Sequence, residues 1–461
     1  MSDYFILAAS AAEIGSLKDE APLKVNLEIF AGDTPRSGDH VMVALERNGN
    51  YEAVEPAVFG VTGRSKKNVT LERQHAYMEA VPLDKIRPLL NRGLVNGANG
   101  LSAEEFQRIQ TLMGSPVISE LQLLDHIKEY ISARGYYFDD ETIHNYHICL
   151  KTRPFVILAG LSGTGKSKLS QLYAEAIGHT VKNDRYRRVA VRPSWNDDRY
   201  LLGYLNSITG EYVSEPALDF IIQAERDREN LYFFCLDEMN LAHVEYYFSQ
   251  FLSALEEEDT ADRRIPLFSR SLAESLAAQG KEVAYEREII VPPNLLFTGT
   301  INVDETTQPL SDKVIDRANT LEFFDVDLEK VPPRRPTPDV VTVSTTLWQR
   351  YRTTEPNASY RSHIVDIGKI LNKAGLGLGY RVLREIELYL ANSHGLLDLD
   401  TAFDLQVKQR ILPRVRGTLT VRDTLRELTD YMKQHGLMRS TTRLQEMEGR
   451  LNRDGYTSFW R

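Results

Sequence analysis

Between residues 117 and 330, short apolar runs alternate with longer stretches in which apolar side chains return every three or four positions. Residues 155–159, 232–236 and 295–300 are apolar runs of the kind that form strands covered on both faces, and residues 188–191 and 320–324 complete a set of five strand candidates. Helical periodicity covers residues 117–133 and 140–151, and after residue 166 it puts Leu169, Leu172, Tyr173 and Ala176 on one face. Strands alternating with helices predict an α/β fold built on a doubly wound parallel sheet.

The flanks have a different texture. In residues 1–95, short alternating or apolar stretches at 4–8, 25–30, 40–45 and 57–61 are separated by Gly, Asp and Asn turns, among them Arg47-Asn48-Gly49-Asn50. This is the pattern of a small β-rich module, a compact barrel in outline. Residues 93–100 are Gly- and Asn-rich and read as a hinge, and with a helix over 102–112 they make residues 96–116 a linker. Beyond the Pro-rich residues 331–338, helical patterns broken at 375–379 and at Leu412-Pro413 predict a helical lid over residues 339–461.

Composition narrows the class. The chain has 461 residues, enough for several cores, and its 42% hydrophobic and 26% charged content is that of a soluble globular protein. With 55 Lys+Arg against 65 Asp+Glu, the net charge of -10 excludes a surface coated for nonspecific nucleic-acid binding but leaves room for a local basic groove. The two cysteines, Cys149 and Cys235, stand in apolar contexts and read as buried thiols of a reducing compartment. The start Met-Ser-Asp-Tyr-Phe lacks a basic signal-peptide region, and no apolar run approaches membrane-spanning length, so the expectation is a cytoplasmic chain with no membrane partner.

The candidate chemistry sits between the first apolar run and its helix, in Gly160-Leu161-Ser162-Gly163-Thr164-Gly165-Lys166-Ser167. Strand, Gly-rich turn and helix are the context of a phosphate-binding P-loop. Gly160, Gly163 and Gly165 let the chain curl so that backbone N–H groups of the loop, those of Ser162 and Thr164 included, face phosphate oxygens. Lys166 is placed to reach the β/γ-phosphates and Ser167 to ligate Mg²⁺, at a helix N-terminus whose dipole favours the anion. A second apolar run ends in Asp237-Glu238, the arrangement in which Asp237 holds the Mg²⁺ shell and Glu238 orients and deprotonates the attacking water. A third ends at Asn302, a polar strand tip suited to holding that water or sensing the γ-phosphate. The expected substrate is a nucleoside triphosphate, GTP or ATP, with Mg²⁺.

P-loop, Asp-Glu pair, polar strand tip and helical lid together resemble the AAA+ class, preceded here by the small β-rich module. Within that class, Asp237-Glu238-Met239-Asn240-Leu241-Ala242-His243-Val244-Glu245, Gly299-Thr300-Ile301-Asn302-Val303-Asp304-Glu305-Thr306-Thr307 and Ser311-Asp312-Lys313-Val314-Ile315-Asp316-Arg317-Ala318-Asn319 resemble the McrB family. So do residues 155–167, Pro193-Ser194-Trp195 with Leu201-Leu202-Gly203-Tyr204, and the closing Gly455-Tyr456-Thr457-Ser458-Phe459-Trp460. McrB proteins are GTP-driven motor subunits of modification-dependent restriction systems, and the resemblance spans roughly residues 117–461.

The resemblance implies a hexameric ring, a McrC-like nuclease subunit as partner, and DNA as the recognised polymer. It implies that Arg317 acts in trans on a neighbour's nucleotide, where a guanidinium suits the developing γ-phosphate charge. In the lid, Gly379-Tyr380-Arg381-Val382-Leu383-Arg384 starts a helix whose arginines are expected to approach the phosphates from above, Arg381 first and Arg384 one turn on. The family pattern Met-Asn-x-x-Asp, tied to guanine nucleotides, is Ile301-Asn302-Val303-Asp304-Glu305 here, which leaves ATP open.

Other residues carry weaker signals. His144 and His147 lie three apart on a helix without converging Cys or acidic ligands and read as packing or surface histidines. Arg185-Tyr186-Arg187-Arg188 reads as a solvated sheet edge, while Arg64-Ser65-Lys66-Lys67 is the better nucleic-acid candidate. No spaced acids plus lysine form a nuclease constellation, so any cutting falls to a partner. Three function classes follow: a motor that reads nucleic acid through a PUA- or EVE-like first module, a MoxR-like ATPase that remodels protein, and a nucleotide-gated scaffold.

Overall fold

The computed structural model describes residues 4–10, 23–26, 35–37, 39–47, 50–64, 68–77, 81–90, 97–113, 116–303, 308–324 and 326–460. Lys66, Lys67, Asp304 and Glu305 lie outside the described residues. The chain divides into two compact units, Met1–Gln122 and Leu123–Arg461.

In the first unit the strands are β1 (Tyr4–Ser10), β2 (Leu23–Asn26), β3 (His40–Arg47), β4 (Asn50–Arg64), β5 (Asn68–Tyr77), β6 (Val81–Pro82), β7 (Gly97–Leu101) and β8 (Pro116–Val117). They form one sheet in the order β2-β5-β4-β3-β1-β7, with β6 beside β4 and β8 beside β5. Ile6, Met42, Ala44, Val54 and Val58 bury one face of this sheet with Phe106 and Ile109 of the helix Ala103–Met113. Register shifts in the β3–β4 and β4–β5 pairs bend the long strand β4.

Two sequence expectations change here. The Gly- and Asn-rich stretch read as a hinge contributes β7, paired antiparallel with β1 from Leu101 opposite Tyr4 to Gly97 opposite Ala8. A sheet ladder needs only backbone groups, so small residues do not prevent pairing when a partner edge is present. The linker helix is likewise part of the first unit, because Phe106 and Ile109 give it a stripe to bury.

In the second unit the strands are β9 (Phe155–Gly160), β10 (Tyr186–Ala190), β11 (Gly203–Leu205), β12 (Tyr212–Ser214), β13 (Tyr232–Asp237), β14 (Arg264–Pro266), β15 (Glu288–Ile290), β16 (Leu295–Asn302) and β17 (Asn319–Phe323). Five of them form an all-parallel sheet in the order β10-β13-β16-β9-β17, and β11–β12 and β14–β15 are antiparallel hairpins inserted between its elements. β9 is buried at every position and β13 and β16 at all but their last, as their unbroken apolar runs require of strands covered on both faces. Phe297 of β16 meets Phe234, Phe248 and Phe251 edge-on at 5.7, 5.7 and 5.8 Å between ring centroids. β10 is the sheet edge, with Tyr186 buried, so Arg185-Tyr186-Arg187-Arg188 does lie where a solvated edge was expected.

Helices Arg361–Asn372, Tyr380–Asn392, Leu399–Gln406, Arg422–Gln434 and Met438–Asp454 make the helical part. The fold is therefore an α/β parallel sheet with a P-loop and a helical lid, preceded by a β-rich part, as expected. The lid starts later than residue 339, however. Helix Thr345–Tyr351 packs on the α/β layer, with Trp348 edge-on to His147 at 5.2 Å and Val343 accepting a hydrogen bond from His179 at 2.9 Å. Burial of Trp348 and Val343 outweighs the preference a periodic pattern alone would express. Among the described residues no helix is long and apolar enough to cross a membrane.

Candidate functional site

Parallel strands with a common direction bring their C-terminal ends to one edge, and that edge collects Gly160, Asp237 and Asn302. Gly160 ends β9 so close to β17 that a Cβ there would stand 1.9 Å from the carbonyl oxygen of Phe323. Only glycine lets the two backbones approach this way. Gly163 and Gly165 take φ of 82° and 92°, the left-handed region that turns successive N–H groups toward one point. Gly165 then caps the helix Lys166–Ala176, so the loop opens onto a helix N-terminus. The Phe138 ring packs under the loop, 3.2 Å from where a Gly165 Cβ would be.

Lys166 is 5% exposed, and its Nζ donates to the carbonyl oxygens of Gly160 and Leu161 at 3.1 and 2.5 Å. Burial pulls its ammonium below the ordinary lysine range, while Asp237 and Glu238 oppose that shift. The side chain is a short-tethered charge at the mouth of the loop. Ser167 Oγ donates to Asp237 Oδ1 at 2.5 Å, and Thr300 Oγ1 donates to the same oxygen at 2.8 Å. Arg188 stands 3.7 Å from the other oxygen of Asp237.

Glu238 is exposed and holds φ of 54°, a conformation an L side chain adopts only when its surroundings impose it. Its N–H donates to Thr300 Oγ1 at 2.9 Å, and its Oε1 accepts from Asn302 Nδ2 at 3.0 Å. Asn302 is fixed in turn by buried Asn240, which donates to the Asn302 carbonyl at 2.8 Å and accepts from its N–H at 3.2 Å. Two strand tips, of β13 and β16, and the first turn of the P-loop helix are thus tied into one hydrogen-bonded group of Ser167, Asp237, Thr300, Glu238, Asn302 and Asn240. Sequence reasoning does not single out Thr300 or Asn240, although both lie inside the segments that carry the resemblance.

Beside the loop a cavity of about 810 Å³ runs from Thr164 and Phe138 to Phe323 and Phe324, closed on the lid side by Lys408 and Arg443. Lys408 pairs with Glu322 at 2.6 Å, and Arg443 pairs with the same carboxylate while lying over the Phe324 and Phe459 rings at 5.3 and 5.1 Å. With Arg439 and Arg450 they are the lid cations among the residues that line this cavity, and nothing in their sequence neighbourhood marks them.

Arg317 and Arg381 are elsewhere, and Arg381 corrects an expectation. Arg317 precedes β17, at the edge of the sheet opposite the P-loop, where it pairs with Glu256 and donates to the Lys313 carbonyl at 2.7 Å. Arg381 pairs with the same Glu256, and Arg384 with Glu258. A strand of five or six residues separates the two edges by about 17–20 Å. Neither lid arginine lies above this chain's own phosphate loop, because the helix Tyr380–Asn392 packs on Asp140–Thr152 through Tyr389–Asn145 (2.7 Å) and Lys151–Asn392 (2.8 Å) bonds. Burial pulls the neighbouring Arg153 guanidinium down to about 10, with Arg381 and Arg317 adding to the shift and Glu256 opposing it.

The remaining sequence candidates are packing groups or surface groups. His147 is buried against Tyr173 and Trp348, and His144 Nδ1 meets the Leu396 carbonyl at 3.0 Å. Cys149 and Cys235 are free and buried, and burial raises the Cys235 thiol to about 12. Arg64 is exposed at the end of β4.

Residues 342–456 match a family model described as a domain of unknown function (DUF8727). No curated protein matches the chain. Among solved structures, a provisionally assigned ATPase from Cytophaga hutchinsonii is similar at 16% identity and a TM-score of 0.40, over 60% of this chain and 81% of that one.

Proposed function

We propose that this chain is an AAA+ nucleoside triphosphatase whose own P-loop binds the nucleotide and whose neighbour in a ring completes the site. The observation that carries this reading is the hydrogen-bonded group joining Ser167, Asp237, Thr300, Glu238 and Asn302 at one sheet edge beside the P-loop lysine. Ser167 Oγ and Asp237 Oδ1, 2.5 Å apart, are hard oxygen donors that fit Mg²⁺. A cation held by these two oxygens would neutralise charge on the phosphates of a bound triphosphate. Glu238 takes the proton of the attacking water, and Asn302 Nδ2 keeps its carboxylate aimed outward. Lys166 supplies positive charge to the phosphates once its bonds to the loop carbonyls are exchanged for phosphate oxygens.

Arg317, with Arg381 beside it, serves the neighbouring subunit. Their distance from the P-loop edge of their own sheet supports this assignment. Arg317→Ala rings should bind triphosphate normally and turn over about 10²-fold more slowly or worse. Mixing them with Glu238→Gln subunits, which keep the arginine, should restore part of the turnover. Mixed rings that form but stay inactive at every ratio would count against an intersubunit finger.

On the McrB reading the ring recognises nucleic acid, modified DNA in particular, through the first unit and drives a separate nuclease subunit. The compactness of the first unit and the exposed Arg64 support a recognition module. A specific observation favours the MoxR-like alternative: the hairpin β11–β12 exposes Tyr204, Val213 and Ile208, the last at 81%, an apolar tip better suited to protein than to phosphate backbone. Titrating GTP and ATP against the full chain, with and without modified duplex DNA, separates the readings. DNA-stimulated hydrolysis of one nucleotide is expected. Hydrolysis indifferent to DNA gives the lead to protein remodelling.

A further inference from the structure

Arg410 is 1% exposed and lies inside a π-helical turn, Val407–Ile411, that joins the lid to the end of β17. Its Nη1 donates to the Ala318 carbonyl at 2.7 Å and its Nη2 to the Asp316 carbonyl at 3.2 Å. Those are the carbonyls of the two residues that flank Arg317. The next arginine on the same side, Arg414, bonds the Asp316 carboxylate at 2.5 Å, so the finger segment is held at both backbone and side chain. Arg410 also pairs with Glu385, one turn along the helix that carries Arg381, and Glu385 pairs with Arg153.

The same turn reaches the cavity beside the P-loop. Lys408, two residues before Arg410, pairs at 2.6 Å with Glu322, and Glu322 lies at the far end of the strand that Arg317 precedes. Gln406 bonds Asn319 at 3.4 Å at the near end. Turn and strand therefore run side by side from the cavity to the finger. An interrupted helix of this kind recurs at functional sites because it breaks the regular ladder to aim a side chain.

We infer that Arg410 is the positioning residue of the intersubunit arginine pair, clamping the Asp316 and Ala318 carbonyls so that Arg317 and Arg381 are presented together to the neighbour's nucleotide. This rests on the trans role proposed for Arg317. A guanidinium is needed because its planar fork addresses two carbonyls and a carboxylate at once, which an ammonium on a flexible stem does not. The lid turn that closes a subunit's own cavity thereby also sets what that subunit offers next door.

The test uses full-length Arg410→Met and Arg410→Lys, with Glu385 left to its second partner, Arg153. Both should bind ATP or GTP within about twofold of the parent while kcat falls about tenfold or more. Turnover should return when either is mixed with Glu238→Gln subunits, which carry an intact finger but no base. Arg317→Ala combined with Arg410→Lys should be no slower than Arg317→Ala alone, since the clamp has nothing left to position. Full turnover by Arg410→Lys beside a slow Arg317→Ala overturns the positioning role, and so does a double variant slower than Arg317→Ala or a defect that intact neighbours do not relieve. Full turnover by Arg317→Ala would instead bring down the finger reading beneath it. If Arg410→Met does not fold, the lysine variant, which keeps a cation beside Glu385, carries the test.

Discussion

Replacing Lys166 with alanine should lower triphosphate affinity by about a hundredfold, about 3 kcal/mol, because a charge-assisted bond to phosphate is lost at a buried side chain. The geometry makes the effect specific. Lys166 is 5% exposed and tethered at the first helical position after Gly165, so no other cation can take its place without moving the loop. Its absence leaves the carbonyls of Gly160 and Leu161 without their ammonium, yet both remain next to the loop opening and can be solvated. The fold should therefore survive, as checked by thermal unfolding, while titration with a fluorescent triphosphate reports the loss. Ring assembly, measured by light scattering with nucleotide, should fail in parallel. Near-parental affinity in a folded variant would mean that phosphate is held elsewhere.

Glu238→Gln should separate binding from chemistry. The amide is nearly the same shape, and its Oε1 still accepts the bond from Asn302 Nδ2 that spans 3.0 Å in the parent. The Ser167–Asp237–Thr300 group is untouched. Triphosphate should bind and rings should form, while single-turnover hydrolysis falls by about 10²-fold or more, since an amide cannot take the proton from water. The left-handed backbone at Glu238, with φ of 54°, is retained by the bond from its N–H to Thr300 and not by the carboxylate. If the variant instead loses nucleotide binding, Glu238 holds the site together and another group is the base.

The phosphate-binding half of this site is legible in the linear chain for a physical reason. A P-loop is local: eight consecutive residues, a strand before them and a helix after them contain the turn, the anion-facing N–H groups and the lysine. Asp237, Glu238 and Asn302 are legible because each ends an apolar run, and parallel strands of one sheet must bring such ends to a common edge. The lid is not legible in the same way. Arg381 stands in a recognisable helix start, yet it pairs with Glu256, 125 residues away, at the opposite end of the strands from the loop that its pattern suggests it covers. Lys408 and Arg443, which do close the cavity, sit in helices whose periodicity reveals only the face they bury.

The apparent hinge that forms β7 makes the same point from the other end of the chain. Gly97–Leu101 has almost no side chain to signal with, and its strand exists because β1 offers an unpaired edge. By itself, then, the sequence determined what depends on neighbours in the chain. That covers the turn geometry of the P-loop, the burial of β9, β13 and β16, the amphipathic stripes of the helices and the residue types able to meet a triphosphate. The tertiary structure alone decided which lid cations face that pocket and which face away. Helix orientation is set by packing such as Tyr389 on Asn145, 244 positions apart, and by the buried Arg410–Glu385–Arg153 group. Such contacts join residues distant along the chain, and no local pattern encodes them.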